Sequence, residues 1–273
     1  MHTTFKAGFW ITSLTLFLSA CGGQTSQTIP TEQAASAAKT NKELPTYLVA
    51  TEASFAPYEF RDENGLVVGY DVDILNAIAE DQGFKVQFIN QKWDGIFDTL
   101  KNGQRDIIAA ALGVNEERQK SFELSDPYSY SGNIAVYIDP ALKINTIDDL
   151  KNLKVSTQEN TYTLEVLNKH GVTDILPAPT LYLALKEMMN QKAQVVAGDA
   201  AVLHYYLKSL PDTKYYSIPI KTANNTNNPI VFALKKGNTE LLGKINTGLH
   251  NIKANGTYDK INQKWFGKAS ITD

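Results

Sequence analysis

The sequence contains only one cysteine, which lies near the N-terminus at position 21. A single cysteine cannot form an internal disulfide, so Cys21 has no such role in folding. Long hydrophobic runs are also scarce, because no segment beyond residue 20 is apolar enough to span a bilayer. The folded part of the chain is therefore predicted to be a soluble domain.

Basic residues are not in excess. The chain has 26 Lys and Arg against 29 Asp and Glu, which gives a formal net charge of -3 at pH 7. Proteins that bind the phosphate backbone of nucleic acids need clustered cations. We therefore expect no nucleic acid partner.

The motifs of the common catalytic sites are missing as well. The sequence has no G-x-S-x-G, no H-E-x-x-H, no P-loop and no nucleophilic cysteine in its domain. Its histidines, at positions 2, 170, 204 and 250, are scattered, and none lies near a plausible pair of carboxylates. These absences argue against triad or metal chemistry, and we expect no cofactor.

The N-terminus has the features of a secretory signal peptide over residues 1–20. Lys6 supplies a cationic start, and the apolar run that follows is too short for a comfortable membrane span. The run ends in LSAC at 18–21, which resembles a bacterial lipobox, where the cysteine is lipidated and becomes the mature N-terminus. The alternative is a plain signal peptide with a chance cysteine.

Residues 21–44 are predicted to comprise the lipidated Cys21 and a flexible tether. The tether is predicted because its residues are small and polar and have little apolar surface to bury. A multiply acylated cysteine anchors a domain stably, since two or more chains are needed for that. We therefore expect an exported protein that is anchored through Cys21 to the cell membrane and faces the periplasm or extracytoplasmic space.

Beyond Tyr47, short apolar strands alternate with amphipathic helices. The residues DENG at 62–65 predict a hairpin turn between two of these strands. Strand–helix alternation predicts right-handed crossovers and an α/β fold with mainly parallel sheets. In such sheets, ligands bind in a crevice at the carboxyl ends of the strands.

One stretch, DIIAAALGVNEER at 106–118, has the features of such a crevice. A buried strand over 107–112 ends at Gly113, and a helix begins near Asn115 with Arg118 in its first turn. An arginine fork beside the N–H groups of a helix start is a suitable receptor for a carboxylate. The alternative is an Arg–Glu pair on the surface of an ordinary helix start.

Four sequence patterns, in order along the chain, resemble the solute-binding proteins of polar amino-acid ABC importers, known as family 3. They are TEASFAPYEF at 51–60, GYDVD at 69–73, ER at 117–118 followed by FELSDPY at 122–128, and NGTYDKI at 255–261 followed by KWFG at 264–267. The resemblance covers about residues 47–267, which is essentially the whole predicted folded part.

The resemblance implies a type II periplasmic-binding-protein fold. Each of its two lobes has a mixed, mostly parallel sheet flanked by helices, and two crossover hinge strands join the lobes. Lobe 1 is predicted to comprise residues 45–131 and 229–273, and lobe 2 residues 132–228. Two such crossings suit hinged closure around a ligand.

The resemblance also implies a site for the carboxylate and the ammonium that every α-amino acid presents. The corresponding residues are Arg118 for the carboxylate and Asp199 for the ammonium, although Asp199 alternatively serves as the N-cap of its helix. Supporting positions are the Ala111 carbonyl, the Gly113 and Tyr162 N–H groups, and Thr161.

Gly113 departs from the family pattern, which usually has Ser or Thr at this position. The loss of that hydroxyl removes one side-chain contact with the ligand. The predicted contact with Arg118 does not depend on it.

The pocket for the ligand side chain is predicted at Glu52, Phe55, Trp93 and Gln158. Phe55 and Trp93 would sandwich the ligand, and the alternative is that either belongs to the core. Gln158 replaces a lysine found in glutamine-type relatives, so Glu52 lacks that cationic neighbour. A ligand with hydrogen-bond donors or positive charge is favoured, with Gln, cystine, His, Arg and Lys as candidates.

Two other functions stay open. Enzymes of the cyclohexadienyl dehydratase type resemble this fold and use a cleft carboxylate as general acid, for which Glu159 is the candidate, unless it is an exposed loop residue. A sensor domain is the other, and the absence of a spanning helix argues against it. The principal expectation is a monomer that binds an L-amino acid and docks on the transmembrane subunits of an ABC permease.

Overall fold

The structure, a computed structural model, describes residues 43–210, 212–221 and 228–267. The predicted signal peptide, the predicted lipidation site Cys21 and the tether up to residue 42 lie outside these ranges. So does most of the segment 222–228, whose polar residues predict a loop that returns the chain to lobe 1. None of the helices in the described part of the chain combines the length and the apolar character needed to cross a membrane.

The strands, numbered in chain order, are β1 (Thr46–Thr51), β2 (Ser54–Phe55), β3 (Glu59–Arg61), β4 (Val67–Val68), β5 (Lys85–Asn90), β6 (Ile107–Gly113), β7 (Phe122–Leu124), β8 (Ser129–Ser131), β9 (Asn133–Tyr137), β10 (Val155–Gln158), β11 (Ile175–Ala178), β12 (Val195–Asp199), β13 (Tyr216–Ile220) and β14 (Asn228–Lys235). The helices are α1 (Tyr70–Gln82), α2 (Ile96–Lys101), α3 (Glu116–Ser121), α4 (Tyr162–Lys169), α5 (Leu181–Met189), α6 (Ala200–Lys208), α7 (Thr239–Ala254) and α8 (Thr257–Phe266), with a 3-10 helix at Ile147–Asn152.

The first sheet has the strand order β5-β1-β6-β14-β7, and β8 pairs with the other end of β14. Strands β5, β1 and β6 are parallel. Helix α1 connects β1 to β5 and helix α2 connects β5 to β6, so that each strand starts from the same edge of the sheet. Strand β14 is antiparallel to β6, β7 and β8. Most of β6 is buried, and only its carboxyl end, near Ala111 and Gly113, is partly exposed.

The second sheet has the order β11-β10-β12-β9-β13. Strands β11, β10 and β12 are parallel and are connected through α4 and α5, whereas β9 and β13 are antiparallel to their neighbours. The carboxyl ends of β10 and β12 carry Gln158 and Asp199. Each sheet therefore has a parallel part whose strand ends carry predicted site residues.

The chain passes twice between the two sheets. Strand β8 ends in the first sheet at Ser131, and β9 begins in the second sheet at Asn133. On the return, β13 of the second sheet precedes β14 of the first, and Asn228 of β14 pairs with Ser131 of β8. The fold is the two-lobed α/β arrangement predicted from the sequence, with mixed sheets flanked by helices.

The structure differs from the sequence-based description in three local features. Antiparallel pairing is more extensive than strand–helix alternation suggests, because the crossing strands insert against β6 and β12. Residues 146–150, with Asn145 or Thr146 as the cap, are predicted from the sequence to form a short helix. The structure has a 3-10 helix at Ile147–Asn152, in which Thr146 and Asp149 form a capping box. Residues 53–58 follow the first predicted strand and are predicted from the sequence to be a loop, but they contain β2, which pairs with β3.

The predicted apolar helix faces form the core. The stripe on α5 is buried at Leu181, Leu185 and Met188, where the helix packs against β10 and β12. Helix α1 is buried at Ile74 and Ile78 and packs against α7 and α8. This packing holds the strand ends that carry the predicted site.

Candidate functional site

All of the residues predicted to bind a ligand line one cavity between the two sheets. The cavity has an empty volume of about 660 Å³, part of which is open to solvent. The predicted residues that line it are Glu52, Phe55, Trp93, Ala111, Gly113, Arg118, Gln158, Thr161, Tyr162 and Asp199. Their role in binding stays a prediction.

Arg118 reaches the cavity because α3 begins directly after β6. Asn115 is the N-cap of α3, and its Oδ1 accepts the Arg118 N–H at 2.9 Å. The side chain folds back toward the strand end, where Nη1 donates to the Gly113 carbonyl at 2.7 Å. Arg118 is only 8% exposed, so the alternative of a surface Arg–Glu pair is wrong.

The guanidinium of Arg118 lies against two aromatic rings. Its Cζ is 5.4 Å from the centroid of Trp93 and 5.1 Å from that of Phe97, distances at which the ring faces attract a cation. Burial lowers the pKa of Arg118 to about 10, against the opposing effect of Glu165 and Glu117. The side chain is therefore charged at neutral pH.

Within the described residues, Arg118 forms no salt bridge. Removing a cation from water without an anionic partner is unfavourable. An anionic group bound in the cavity would offset this cost and would match the planar guanidinium fork.

Asp199 comes from the opposite sheet, at the end of β12. Its Oδ1 accepts the Val202 N–H at 3.1 Å and caps α6, so the expected N-cap role is present. Burial raises the pKa of Asp199 to about 6, although hydrogen bonds from Ser131 and backbone N–H groups act in the other direction. The carboxyl also lines the cavity, so capping and ligand contact are compatible.

A buried polar contact joins the ends of β1 and β10. The Gln158 Nε2 lies 3.0 and 2.9 Å from the two Glu52 carboxylate oxygens. Burial raises the pKa of Glu52 to about 7, and hydrogen bonds from Gln158 and Ser54 partly oppose this effect. Glu52 thus has a neutral amide as its partner across the cavity.

The two predicted aromatic residues line the cavity and also pack on the core. Trp93 belongs to a buried cluster with Ala50 and Ile96, and its Nε1 donates to the Asn160 carbonyl at 2.9 Å. Phe55 is half-buried and stacks on Tyr58 at a centroid distance of 6.2 Å. Both roles considered from the sequence are therefore compatible.

The predicted backbone positions lie at a strand end and a helix start. Ala111 has a positive φ of 43°, and its N–H donates to Asp71 Oδ2 at 2.8 Å. Thr161 is the N-cap of α4, so the Tyr162 N–H belongs to the first turn of that helix. The Gly113 carbonyl accepts from Arg118.

Several cavity residues were not predicted from the sequence. Asn228 lies at the start of β14, and Thr163 donates its hydroxyl to Asn133 Oδ1 at 2.8 Å. Asn228 ends a polar stretch before an apolar strand, a pattern that indicates only a turn. The further members are Ala110, Ser131, Asn133, Thr157, Leu181, Gly198 and Ile230.

The candidate catalytic residue Glu159 is not among the residues that line this cavity. In the ranges the structure describes, no group of three or more His, Cys, Asp or Glu side chains is arranged to hold a metal ion. The lining of the cavity combines a guanidinium, carboxyls and amides, which can bind charged and hydrogen-bonding parts of a small molecule.

Residues 47–268 match the family model of the bacterial extracellular solute-binding proteins, family 3. The chain is 32% identical over 259 residues to a probable histidine-binding protein of Neisseria gonorrhoeae, with 93% of this chain and 92% of that protein covered. It is 27% identical over 215 residues to the ABC transporter arginine-binding protein 1 of Escherichia coli (strain K12), with 78% and 88% covered. An ancestral arginine-binding protein bound to arginine has a TM-score of 0.77 and 36% identity, with 81% of this chain and 98% of that chain covered.

Proposed function

This chain belongs to family 3 of the bacterial extracellular solute-binding proteins, and on that premise we propose that it is the substrate-binding component of an amino-acid ABC importer. It captures a polar or cationic L-amino acid in the cavity between its two sheets. The candidates are Gln, cystine, His, Arg and Lys.

The observation that carries the proposal is the pair of charged groups on opposite sides of the cavity. Arg118 is a buried cation in α3, directly after β6, and Asp199 is an acid at the end of β12. An α-amino acid has a carboxylate and an ammonium on one carbon. Arg118 binds the carboxylate and Asp199 the ammonium, so one small zwitterion satisfies both groups.

The preference for a polar or cationic side chain rests on Glu52. Glu52 is 6% exposed, and its carboxyl faces an amide rather than a cation. A guanidinium, ammonium or amide on the ligand would add donors to this acceptor. The names of relatives that bind histidine and arginine support this ligand class.

Capture proceeds by closure of the lobes about their two crossings. Hydrogen bonds already join residues of the two sides, including those from Gln158 to Glu52, from Trp93 to the Asn160 carbonyl and from Tyr206 to the Ser54 carbonyl. A ligand that touches both sides shifts an existing open–closed equilibrium toward this form. The closed form then docks as a monomer on the transmembrane subunits of the permease.

The same proposal includes export and attachment to the membrane. Residues 1–20 direct export, and lipid on Cys21 holds the domain at the extracytoplasmic face through the tether. No chemical step follows binding. The position of Glu159 outside the cavity lining supports capture over a dehydratase-type reaction.

Thermal unfolding of the purified chain tests the proposal. The protein is first unfolded and refolded to remove any bound ligand, and is then heated with each of the twenty amino acids and with cystine. A ligand at a hundredfold its Kd stabilises the folded state by about 2.7 kcal/mol, which is visible as a raised melting temperature. A shift restricted to a few polar or cationic L-amino acids supports the proposal, and no shift with any of them overturns it.

A further inference from the structure

Gly113 is a glycine for a reason other than backbone conformation. Its φ lies outside the left-handed range that favours glycine, so an L-residue could adopt the same backbone angles. A Cβ at this position would lie 2.5 Å from Asn228 Nδ2 and 3.4 Å from Asn228 Cγ. The amide of Asn228 therefore occupies the space that a side chain at position 113 would need.

Asn228 is held in this place by the crossing strands. It is the first residue of β14, and it pairs with Ser131 of β8. On its other side, β14 pairs with β6, where Ile230 lies opposite Gly113. The amide is thus presented to the cavity from an element different from the one that carries Arg118.

The amide of Asn228 and the guanidinium of Arg118 both lie next to Gly113. The Arg118 Nη1 lies 2.7 Å from the Gly113 carbonyl oxygen, and the Asn228 Nδ2 lies beside the Gly113 Cα. Both side chains line the cavity. A carboxylate held by Arg118 therefore lies within reach of the Asn228 amide, which has two N–H donors.

We infer that Asn228 is a further ligand-binding residue, which donates its side-chain amide to the carboxylate of the bound amino acid. It takes the place of the side chain that Gly113 lacks. The inference rests on the proposed function, since it names a contact within the same site. Gly113 and Asn228 are then a matched pair, because the side chain of Asn228 leaves no room for a side chain at position 113.

The test is a set of variants titrated calorimetrically with L-arginine, L-histidine, L-glutamine and L-cystine. Asn228→Ala removes the donor and weakens binding about 10- to 100-fold, the range expected for one hydrogen bond to a charged group. Asn228→Asp keeps the size but replaces donors by acceptors, and it weakens binding further. Asn152→Ala, in an exposed position outside the cavity, serves as the control and binds as the wild type does.

Rescue separates a ligand contact from a purely structural role. Gly113→Ser alone weakens binding, because its side chain collides with Asn228. The double variant Gly113→Ser, Asn228→Ala relieves the collision and supplies a hydroxyl donor, so its affinity returns to within about tenfold of the wild type. Melting temperatures without ligand show whether each variant is folded, and Asn228→Asp provides a second reading if the alanine variant is not.

The outcomes distinguish this inference from the function on which it rests. Equal affinity of the wild type and Asn228→Ala overturns the inference and leaves the proposed function standing. So does a double variant that binds no better than Gly113→Ser alone. If the wild type binds neither the four probes nor any other amino acid, both the proposed function and the inference are overturned.

Discussion

A buried arginine without a carboxylate partner destabilises a folded chain, and Arg118 is such a residue within the described part of this protein. The aromatic rings of Trp93 and Phe97 and the Gly113 carbonyl offset part of that cost. None of these groups neutralises the charge. In the proposed function, a ligand carboxylate supplies the missing negative charge.

The first prediction concerns the shape of this cation. Arg118→Met removes the charge and lowers ligand affinity at least about 100-fold, because two charge-assisted hydrogen bonds are lost. Arg118→Lys keeps the charge without the planar fork and has intermediate affinity. Calorimetry with the best amino acid from the thermal screen measures both effects.

Arg61→Lys is the matched control, because Arg61 is exposed in the β3–β4 hairpin, where its Nη1 donates to the Gly65 carbonyl. It should bind as the wild type does. Undiminished binding by Arg118→Met would mean that the ligand carboxylate lies elsewhere.

The second prediction follows from the ionisation of Glu52. Its pKa is raised to about 7, chiefly by burial, so a large share of the carboxyl is neutral at pH 6. A cationic ligand side chain favours the ionised form, and its binding must release that proton. The affinity for L-arginine or L-lysine therefore rises between pH 6 and pH 8, as titrations at several pH values will measure.

Glu52→Gln removes the titrating group and should remove most of this pH dependence as well as part of the affinity for cationic ligands. Binding of L-glutamine, whose side chain is neutral, should depend less on pH in the wild type. An affinity for arginine that is constant from pH 6 to pH 8 would place its guanidinium away from Glu52.

At the scale of single residues, most of the site was predicted from the resemblance of the sequence to family 3. Side-chain chemistry alone explains why Arg118 suits a carboxylate, but it does not show that Glu52 and Gln158 meet across the cavity. Asn228 escaped prediction because its importance depends on Gly113, which is distant in the chain and close only in the fold.

The elements around the site follow from local sequence patterns. The apolar run of β6, the small residue at its end and Asn115 before α3 are each visible in the sequence, and the structure places them as expected. The two-residue strand β2 was not predicted, because so short a segment has no periodicity to detect. Its geometry depends on pairing with β3.

The side chain of Tyr206 connects helix α6 to the segment around β2. The hydroxyl of Tyr206 donates to the Ser54 carbonyl at 2.7 Å and accepts the Ala56 N–H at 3.4 Å. Ser54 precedes the first crossing and Tyr206 follows it. In the proposed mechanism these hydrogen bonds form only when the lobes close.

The third prediction is that Tyr206→Phe weakens ligand binding about 2- to 10-fold, although Tyr206 does not line the cavity. The loss of these hydrogen bonds lowers the population of the closed form, and apparent affinity falls in proportion. Calorimetry measures the affinity, and small-angle scattering without ligand should show a more open average shape.

Tyr205→Phe is the control for that prediction. Its ring packs against Phe60 and Tyr206, and its hydroxyl has no hydrogen bond in the described ranges. Affinity and scattering should match the wild type. Equal effects of the two substitutions would mean that the change does not depend on the two hydrogen bonds of the Tyr206 hydroxyl.

At the scale of the whole molecule, strand–helix alternation predicted the α/β class, and the resemblance to family 3 predicted the two lobes and their two crossings. The alternation of strands and helices predicted mainly parallel sheets and so underestimated the number of antiparallel strand pairs. Strands that pair with partners distant in the chain leave no local sequence pattern of that pairing. The lobe limits at residues 131 and 228 stay a prediction, and the signal peptide and Cys21 lie outside the described residues.

Lobe 1 also buries two carboxyl groups that are separate from the cavity lining. Glu59 and Asp71 are both 0% exposed. Burial raises the pKa of Glu59 well above its usual value, with Asp71 as a further cause, and burial raises the pKa of Asp71 to about 7, against the hydrogen bond from the Ala111 N–H. The folded chain thus retains protons that the unfolded chain releases above about pH 4.

The fourth prediction is that these groups make the ligand-free protein less stable as pH rises. The folded state binds more protons than the unfolded state between about pH 4 and pH 7, so the free energy of unfolding falls with pH in that window. Glu59→Gln keeps the shape without an ionisable group, so its unfolding free energy should fall less than that of the wild type from pH 5 to pH 8.

Urea unfolding at pH 5, 6, 7 and 8 measures this difference, and comparing the two proteins cancels the contribution of groups that titrate equally in both. Glu63→Gln, in the exposed hairpin, should follow the wild type at every pH. If the difference between Glu59→Gln and the wild type does not change with pH, the Glu59 carboxyl is ionised in the folded state or titrates alike in both states. The buried pair would then act only through packing and hydrogen bonding.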